Sequence, residues 1–217
     1  MADFSQLRTT MVDTQIRPSD VTKYPIISAM LATARENFVP EARRETAYVG
    51  GDIPLGGARV ILDPRVFAKM IDALDIQNDE LVLDVGAGLG YSSAVISRMA
   101  QAVVALEEDA TLAADGAAAL TEAGCDNVIP ETGALAAGAP QHGPYDAIIV
   151  EGGVERLPEA LTDQLKDGGK ICAIFLEGAL GIVKLGYKID GVISWRMSFN
   201  ATAPVLSGFE AEKAFSL

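Results

Sequence analysis

Five short, largely apolar runs recur along the chain from residue 81 onward, with helical patterns between most of them. The runs are Leu81–Leu83, Ala102–Leu106, Asn127–Pro130, Tyr145–Val150 and Lys170–Phe175. Runs of this length, rich in β-branched and aliphatic residues, are typical of strands buried in a parallel sheet. Helices are predicted from Tyr91 to about Ala100, over Ala110–Ala123 and over Leu157–Leu165. The alternation of strands and helices predicts an α/β fold.

Two longer runs close the chain, and in both of them apolar and polar residues alternate. They are Leu180–Lys188 and Val192–Asn200, separated by Ile189-Asp190-Gly191. Asp-Gly between alternating runs is a strong signal for a β-hairpin. The whole pattern predicts a doubly wound, Rossmann-like, mostly parallel seven-stranded sheet that ends in an antiparallel C-terminal hairpin.

The first sixty residues have helical periodicity and then loop character. We expect a helix over Asp3–Ile16, a second from a Ser19 or Asp20 cap to about Phe38, and a third from Asp63-Pro64 to Leu74. The Gly- and Pro-rich segment 41–58 is predicted to be a loop, either a lid or substrate wall or a simple connector. We therefore predict a single compact unit that consists of an N-terminal helical extension with a substrate-side loop (1–60) and a ligand-binding domain (61–217).

A glycine-rich loop follows the first predicted strand of the sheet. Gly86, Gly88 and Gly90 stand at every second position after Asp84, and Tyr91 begins a helix. The spacing does not fit the dinucleotide fingerprint, and no Lys follows Gly90 as a phosphate-binding P-loop requires. Without Cβ atoms, these glycines let a ligand approach the backbone closely, ahead of the free amides of a helix N-terminus. A turn with no ligand is the simpler alternative.

The pattern acidic-x-Gly-x-Gly-x-Gly resembles that of class I S-adenosylmethionine-dependent methyltransferases. About twenty residues later, Glu107 ends the second predicted strand, where an acidic residue can accept hydrogen bonds from ribose hydroxyls. Glu107 and its neighbour Glu108 are candidates for that contact, although an acid that merely starts a helix is the alternative. Glu151 ends the fourth predicted strand and borders the same predicted crevice.

Composition limits the classes of partner. The 217 residues carry a formal net charge of −13, and 49% are hydrophobic. Such an acidic chain argues against nucleic-acid binding and against anionic membrane surfaces. The N-terminus has no leader-like apolar run, so we predict a cytoplasmic protein. Cys125, Cys172 and His142 have no metal-ligand spacing, so no metal is expected.

Several segments together resemble the protein-L-isoaspartate O-methyltransferase family. The matching residues are Arg35–Pro40, Ala47-Tyr48, Ile53–Leu55, Asp63-Pro64 with Ala68 and Met70, Leu83–Tyr91, Asn127-Val128, Tyr145–Ile148, Gln164–Lys166 and Gly168-Gly169. The resemblance implies methyl transfer from S-adenosylmethionine to the α-carboxylate of isoaspartyl residues in damaged proteins. It also implies a protein or peptide substrate, S-adenosylhomocysteine as product and no metal. It extends the cofactor contacts to Ala87, Tyr91, Gly133 and Ala134.

Three positions depart from the family pattern. Leu62 stands where the family usually has a Ser at the methyl-transfer site, and Arg59 replaces a Gln. Ala134 stands where the family has an Asp that holds the adenine amino group. Leucine cannot orient a carboxylate through a hydrogen bond. We therefore expect slow isoaspartate repair or another substrate, with Arg59 and Asp63 as the nearest polar candidates for a compensating role.

Three functions remain open from the sequence. They are an isoaspartate repair enzyme, a methyltransferase-fold protein retained for binding or regulation, and a nicotinamide enzyme, which the glycine spacing disfavours. For Asp63 the alternative is a helix N-cap, and for Arg59 it is a surface salt bridge. The oligomeric state is not determined by any of these patterns.

Overall fold

A seven-stranded sheet flanked by helices forms the body of the computed structural model, which describes residues 3–178 and 180–211. The helices are α1 (Phe4–Met11), α2 (Tyr24–Ala32), α3 (Pro64–Leu74), α4 (Tyr91–Ile96), α5 (Ala110–Glu122) and α6 (Glu159–Asp163). The strands are β1 (Ile53–Gly56), β2 (Arg59–Ile61), β3 (Leu81–Val85), β4 (Ala102–Glu107), β5 (Val128–Thr132), β6 (Tyr145–Val154), β7 (Leu165–Glu177), β8 (Leu180–Ile189) and β9 (Val192–Asn200).

The order of the large sheet is β5-β4-β3-β6-β7-β8-β9. The strands from β5 to β7 are parallel, and β8 and β9 extend the sheet antiparallel beyond β7. This confirms the predicted fold class, including the C-terminal hairpin. The chain order reverses at β3, which pairs with β4 on one side and with β6 on the other. Ligands of such sheets bind outside the carboxyl ends of the strands at this switch point.

The sheet is covered on both faces, which explains the nearly continuous apolar runs of its strands. One core cluster contains Val82 and Val103, and the other contains Leu83 and Val104, so successive residues point to opposite faces. The first cluster also includes residues of the N-terminal helices. The predicted boundary between residues 60 and 61 falls inside β2, and the assignment of an extension and a ligand-binding domain within one compact unit stays a prediction.

The N-terminal helices differ in extent from the sequence prediction. The first, predicted over Asp3–Ile16, begins after an Asp3 cap and continues past α1 as a π-helical turn to Ile16. The predicted Ser19 or Asp20 cap is wrong, because α2 begins after Lys23 without a side-chain cap. The second helix ends at Ala32 and not near Phe38, because Thr33 is extended with φ −100° and ψ 118°. A 3₁₀ turn over Arg35–Asn37 follows.

The predicted loop over residues 41–58 contains regular structure that the sequence did not reveal. A 3₁₀ helix covers Glu41–Thr46, and β1 and β2 form an antiparallel hairpin with Ile53 opposite Ile61. We missed the hairpin because its strands are short and its turn-forming residues dominate the segment. Its position over the carboxyl edge of the large sheet makes it part of the site described below.

The remaining boundaries shift by a few residues. Helices α4 and α6 are shorter than predicted, and β5, β6 and β7 run beyond their predicted ends. Among residues 3–178 and 180–211, no helix has the length and apolar character needed to cross a membrane. The cytoplasmic location stays a prediction.

Candidate functional site at the carboxyl edge of the sheet

The glycine loop connects β3 to α4 in a conformation that L residues with side chains rarely adopt. Gly86, Gly88 and Gly90 have φ values of 85°, 57° and 90°. The amides of Gly86 and Ala87 donate to the Leu106 carbonyl at 2.8 and 3.1 Å, which joins the loop to the end of β4. The backbone conformation at these three positions favours glycine.

Asp84, at the end of β3, is completely buried. Its Oδ2 accepts hydrogen bonds from the hydroxyls of Ser92 and Ser93 at 2.6 and 2.5 Å. Its Oδ1 has no partner among the described residues. Burial raises the pKa of Asp84 to about 6, and the two serine hydroxyls oppose that shift by stabilising the ionised form. Asp84 therefore supports the helix that follows the loop and keeps one oxygen free.

Glu107, at the end of β4, is 1% exposed and accepts hydrogen bonds at both oxygens. Its Oε2 receives the Gly88 amide at 2.8 Å and Arg59 Nη2 at 2.7 Å. Its Oε1 receives the amides of Glu108 and Asp109 at 2.9 and 3.1 Å and Arg59 Nε at 3.4 Å. The carboxylate links the glycine loop, the start of α5 and the small hairpin.

The hairpin of β1 and β2 contacts the glycine loop directly through two side chains. Arg59 Nη2 lies 2.8 Å from the position that a Cβ on Gly86 would take. Leu55 Cδ1 lies 2.7 Å from the corresponding position on Gly88. The spaces that the missing Cβ atoms leave open are thus filled by the chain itself, by a guanidinium and a leucyl group.

A third strand-end acid faces the same region. Glu151, within β6, is 4% exposed, and its Oε1 has no partner among the described residues. Burial, and then the negative charge of Asp84, raise the pKa of Glu151 well above its usual range, while Arg59 and Arg35 oppose the shift. Because Val85 lies opposite both Leu106 and Val150, the ends of β3, β4 and β6 meet at one level of the sheet.

Little free volume remains beside the loop. The crevice between the glycine loop, α5 and Pro130 measures about 10 Å³, which is room for about one water molecule. A larger cavity of about 480 Å³ lies elsewhere, between α3 and β9, and is lined by charged surface residues. We place the site at the glycine loop because the buried acids converge there.

Comparison with known proteins agrees with this geometry. The sequence model of the protein-L-isoaspartate(D-aspartate) O-methyltransferase family matches residues 6–183, which is most of the chain. The chain belongs to this family. A protein-L-isoaspartate O-methyltransferase 1 of Rhodopseudomonas palustris (strain HaA2) is 39% identical over 77% of this chain and 69% of its own length. A relative of the same name from Methylorubrum extorquens (strain PA1) is 39% identical over 78% of this chain and 74% of its own length.

Solved structures of that name share the fold. One protein-L-isoaspartate O-methyltransferase superposes with a TM-score of 0.79 at 24% identity and covers 94% of this chain and 65% of that chain. A β-aspartate methyltransferase of Plasmodium falciparum, in complex with S-adenosyl-L-homocysteine, superposes with a TM-score of 0.77 at 19% identity. It covers 95% of this chain and 99% of that chain.

Leu62, which departs from the family pattern, and its neighbour Asp63 have structural roles in this chain. Leu62 is 1% exposed and lies in the core, and its carbonyl accepts Arg35 Nη2 at 3.0 Å. Asp63 caps α3 by accepting the amides of Arg65 and Val66, and its second oxygen accepts the Gly51 amide at 2.7 Å. Both oxygens of Asp63 are therefore engaged by the backbone, which favours the predicted helix cap over the compensating catalytic role.

Four further predicted contacts vary in their surroundings. Tyr91 is 2% exposed and packs against Phe38 and Phe67, so its ring is part of the core. Glu108 is half-buried, Gly133 donates its amide to the Glu107 carbonyl at 3.1 Å, and Ala134 is exposed. Gly133 and Glu108 are thus both hydrogen-bonded to Glu107, the last residue of β4.

Sequence reasoning missed the contacts that three residues make at the site. Arg35 is fully buried, and its Nε donates to the Ala47 carbonyl. Its guanidinium lies 4.4 Å from the centroid of the Tyr91 ring, so the Arg35–Pro40 segment packs against the residue that follows the glycine loop. Leu55 belongs to the matched segment Ile53–Leu55, but nothing in the sequence indicated its contact with Gly88. Arg59 was expected on the substrate side with a surface salt bridge as the alternative, and its ion pair is buried instead. The only sequence signal for Arg59 was its place at a position where the family has a Gln.

Proposed function

We propose that this chain is an S-adenosylmethionine-dependent methyltransferase that methylates the carboxylate of isoaspartyl residues in damaged proteins or peptides. One observation carries the proposal. The Asp84–Gly90 loop and Glu107 meet at the switch point of the sheet, in a chain that the family model matches over residues 6–183. No part of the proposal requires a metal or a nucleic acid.

The residues present fit the cofactor in charge and in backbone shape. Three buried acids, Asp84, Glu107 and Glu151, suit a ligand that carries a positive sulfonium and an amino group. Asp84 Oδ1 and Glu151 Oε1 are buried without partners among the described residues, and such groups are costly unless a ligand or water satisfies them. The relative from Plasmodium falciparum that was solved with S-adenosyl-L-homocysteine supports the same choice of ligand.

We assign the cofactor contacts as follows. The backbone of the glycine loop would hold the amino-acid part, Glu107 with Glu108 would hold the ribose, Gly133-Ala134 would lie at the adenine, and Glu151 would border the methyl group. The loop residues in this assignment are Gly86, Ala87, Gly88, Gly90 and Tyr91, preceded by Asp84. Ala134 offers no carboxylate to the adenine, so we expect weaker cofactor binding than in relatives with an Asp there.

The chemistry asks little of acid–base groups. S-adenosylmethionine supplies an electrophilic methyl group, and a substrate carboxylate is already ionised at neutral pH because its pKa is near 4. The protein's task is to align the carboxylate with the methyl group and to exclude water. Leu62 cannot donate a hydrogen bond to the carboxylate, and Asp63 is engaged as a cap. We therefore propose that repair is slow compared with Ser-bearing relatives.

The test is methyl transfer to an isoaspartyl peptide, with the aspartyl peptide of the same sequence as control. We expect methylation of the isoaspartyl peptide alone, at a rate at least about tenfold below that of a Ser-bearing relative, since loss of one positioning donor typically costs a few kcal/mol. Turnover equal to that of the relative would contradict the slow-repair proposal. Methylation of both peptides at one rate would contradict the substrate assignment.

The second candidate is a methyltransferase-fold protein that binds the cofactor for regulation. It is favoured by the apolar, buried Leu62 and by the engagement of Glu107 with Arg59. Calorimetry with S-adenosylmethionine, S-adenosylhomocysteine and NAD separates the possibilities. Binding without peptide methylation would support the second candidate, and binding of NAD alone would contradict both.

A further inference from the structure

We propose that Arg59 and Leu55 form a plug that occupies the cofactor crevice and must withdraw before S-adenosylmethionine binds. This inference rests on the proposed function, because it names what competes with the cofactor at the same site. The plug consists of these two side chains on the hairpin of β1 and β2, and its counterpart is Glu107 with the backbone of the glycine loop.

The first argument is competition for Glu107. A carboxylate offers about four acceptor positions, and Glu107 accepts from three backbone amides and from two nitrogens of Arg59. The three amides belong to the glycine loop and the start of α5, so they are fixed by the fold. Ribose hydroxyls can therefore reach Glu107 only in place of Arg59.

The second argument is space. The two positions where the missing Cβ atoms would admit a ligand, at Gly86 and Gly88, are within 2.8 and 2.7 Å of Arg59 Nη2 and Leu55 Cδ1. The crevice on the α5 side of the loop, which neither Arg59 nor Leu55 lines, measures about 10 Å³, whereas bound small molecules occupy pockets of about 300 Å³ or more. A ligand therefore needs the space on the hairpin side. On the hairpin side, the atoms nearest these two positions belong to side chains and not to backbone, so this space opens when those side chains move.

The third argument is that the hairpin is anchored at its base and free at its tip. Asp63 Oδ2 accepts the Gly51 amide at 2.7 Å, and the Asp63 amide donates to Asp52 Oδ1 at 2.8 Å. At the tip, Gly56 and Gly57 are exposed, have φ values of 110° and 54°, and have no atoms near their Cβ positions. The tip can thus lift while the base holds its place.

One hydrogen-bond donor of the plug has no acceptor in the closed arrangement. Arg59 Nη1 is buried and has no partner among the described residues. A buried donor without an acceptor lowers the stability of the closed arrangement. The ion pair between Arg59 and Glu107 therefore holds the site closed but leaves one donor of Arg59 unsatisfied. This lowers the free energy that a ligand must supply to displace Arg59 from Glu107.

Calorimetric titration with S-adenosylhomocysteine tests the plug on the full chain. The variants are Arg59→Gln, which removes the charge from Glu107, and Leu55→Ala, which opens the space over Gly88 and keeps the ion pair. The matched control is Arg65→Gln, an exposed arginine on α3. If one molecule in ten is open in the wild type, removing the plug tightens binding about tenfold, and the control leaves it unchanged.

A second measurement covers the case in which Arg59→Gln does not fold, since removing one member of a buried ion pair is strongly destabilising. Leu55→Ala then carries the affinity test alone. Hydrogen exchange of the wild type is measured with and without S-adenosylhomocysteine, and we expect the ligand to change exchange over residues 53–61.

The outcomes separate this inference from the proposed function. Tighter binding by either folded variant supports the plug, even if the wild type binds too weakly to measure. Wild-type binding that the folded variants leave unchanged or weaken, with unaltered exchange in the hairpin, would overturn the plug and leave the proposed function standing. Absence of binding by the wild type and by every folded variant would overturn the proposed function, and the plug with it.

Discussion

The glycine loop and the hairpin that covers it are built in opposite ways. The loop of Asp84–Gly90 is held by contacts near in sequence or in neighbouring strands, such as Ser92 and Ser93 on Asp84. The hairpin reaches the same site through Arg59, which pairs with Glu107 across 48 positions of the chain. The loop matches the family pattern without a mismatch, whereas the covering segment carries Arg59 and Leu62 in place of the usual residues. We call the loop Asp84–Gly90 the cradle, after its proposed cofactor role, and residues 53–62 the cover. In these terms the cradle keeps the family pattern and the cover departs from it.

The strongest test of the cradle is Gly88→Val. Gly88 has φ 57°, and a Cβ there would meet Leu55 Cδ1 at 2.7 Å. The valine side chain would fill the space that we assign to the ligand. We expect affinity for S-adenosylhomocysteine to fall at least about a hundredfold, by steric exclusion and backbone strain. The control is Gly124→Val, where φ is 67° and no atom lies within 4 Å of the Cβ position. Equal affinities of the two variants in calorimetry would place the ligand elsewhere.

A substitution at Leu62 tests whether this part of the cover belongs to the hydrophobic core or lines the ligand site. Its side chain is 1% exposed, so Leu62→Ser should lower the free energy of unfolding by about 3 kcal/mol, through a cavity and an unsatisfied hydroxyl. Leu180→Ser, at a position 71% exposed, should change it by less than about 0.5 kcal/mol. Urea unfolding measures both. A Leu62→Ser protein as stable as the wild type would show that this position faces open space.

The ion pair between cover and cradle should be energetically coupled. Arg59 and Glu107 have side chains 8% and 2% exposed, and a double-mutant cycle of Arg59→Gln and Glu107→Gln should give a coupling energy of about 2 kcal/mol. The exposed pair Arg17–Asp13, at 49% and 57%, should give about 0.5 kcal/mol or less. Similar coupling for the two pairs, measured by urea unfolding, would mean that the cover is not fastened to the cradle.

The smallest expected effect is the pH dependence of stability that comes from the Asp84 carboxyl in the cradle. Because the folded pKa of Asp84 is raised to about 6, the native state binds its proton more strongly than the unfolded chain does. Its contribution to stability is therefore greatest at low pH and is lost as pH rises through 6, by about 1 kcal/mol between pH 5.5 and 8. Glu151, whose pKa is raised as well, acts in the same direction.

Replacing Asp84 isolates that contribution from the repulsion of a chain with net charge −13. The Asp84→Asn protein should lose less stability than the wild type between pH 5.5 and 8, by about 1 kcal/mol. Urea unfolding at both pH values gives the difference. An identical pH dependence in the two proteins would show that Asp84 titrates normally in the fold.

Sequence reasoning succeeded for the parts that local physics determines. Apolar runs predicted every strand of the large sheet, and the Asp190-Gly191 turn predicted the terminal hairpin, because burial and turn conformation are encoded within a few residues. The glycine loop was predictable for the same reason. Asp63 was recognised as a possible cap because Pro64 follows it at the first helical position.

The cover could not be predicted in this way. Its strands have three or four residues, and what fixes them is a set of distant contacts, including Arg35 Nη2 on the Leu62 carbonyl and Gly51 on Asp63. Nothing within the segment 41–58 indicates that Leu55 rests on Gly88. The same limit applies to Arg59, whose partner is known only once the sheet has brought the end of β4 beneath the hairpin.

A crystal structure of the protein with S-adenosylhomocysteine tests the central claim most directly. The account predicts ligand along the glycine loop, its ribose hydroxyls on the Glu107 carboxylate, and Arg59 withdrawn from that carboxylate. A ligand bound elsewhere, or bound at the loop with the pair between Arg59 and Glu107 still in place, would contradict it.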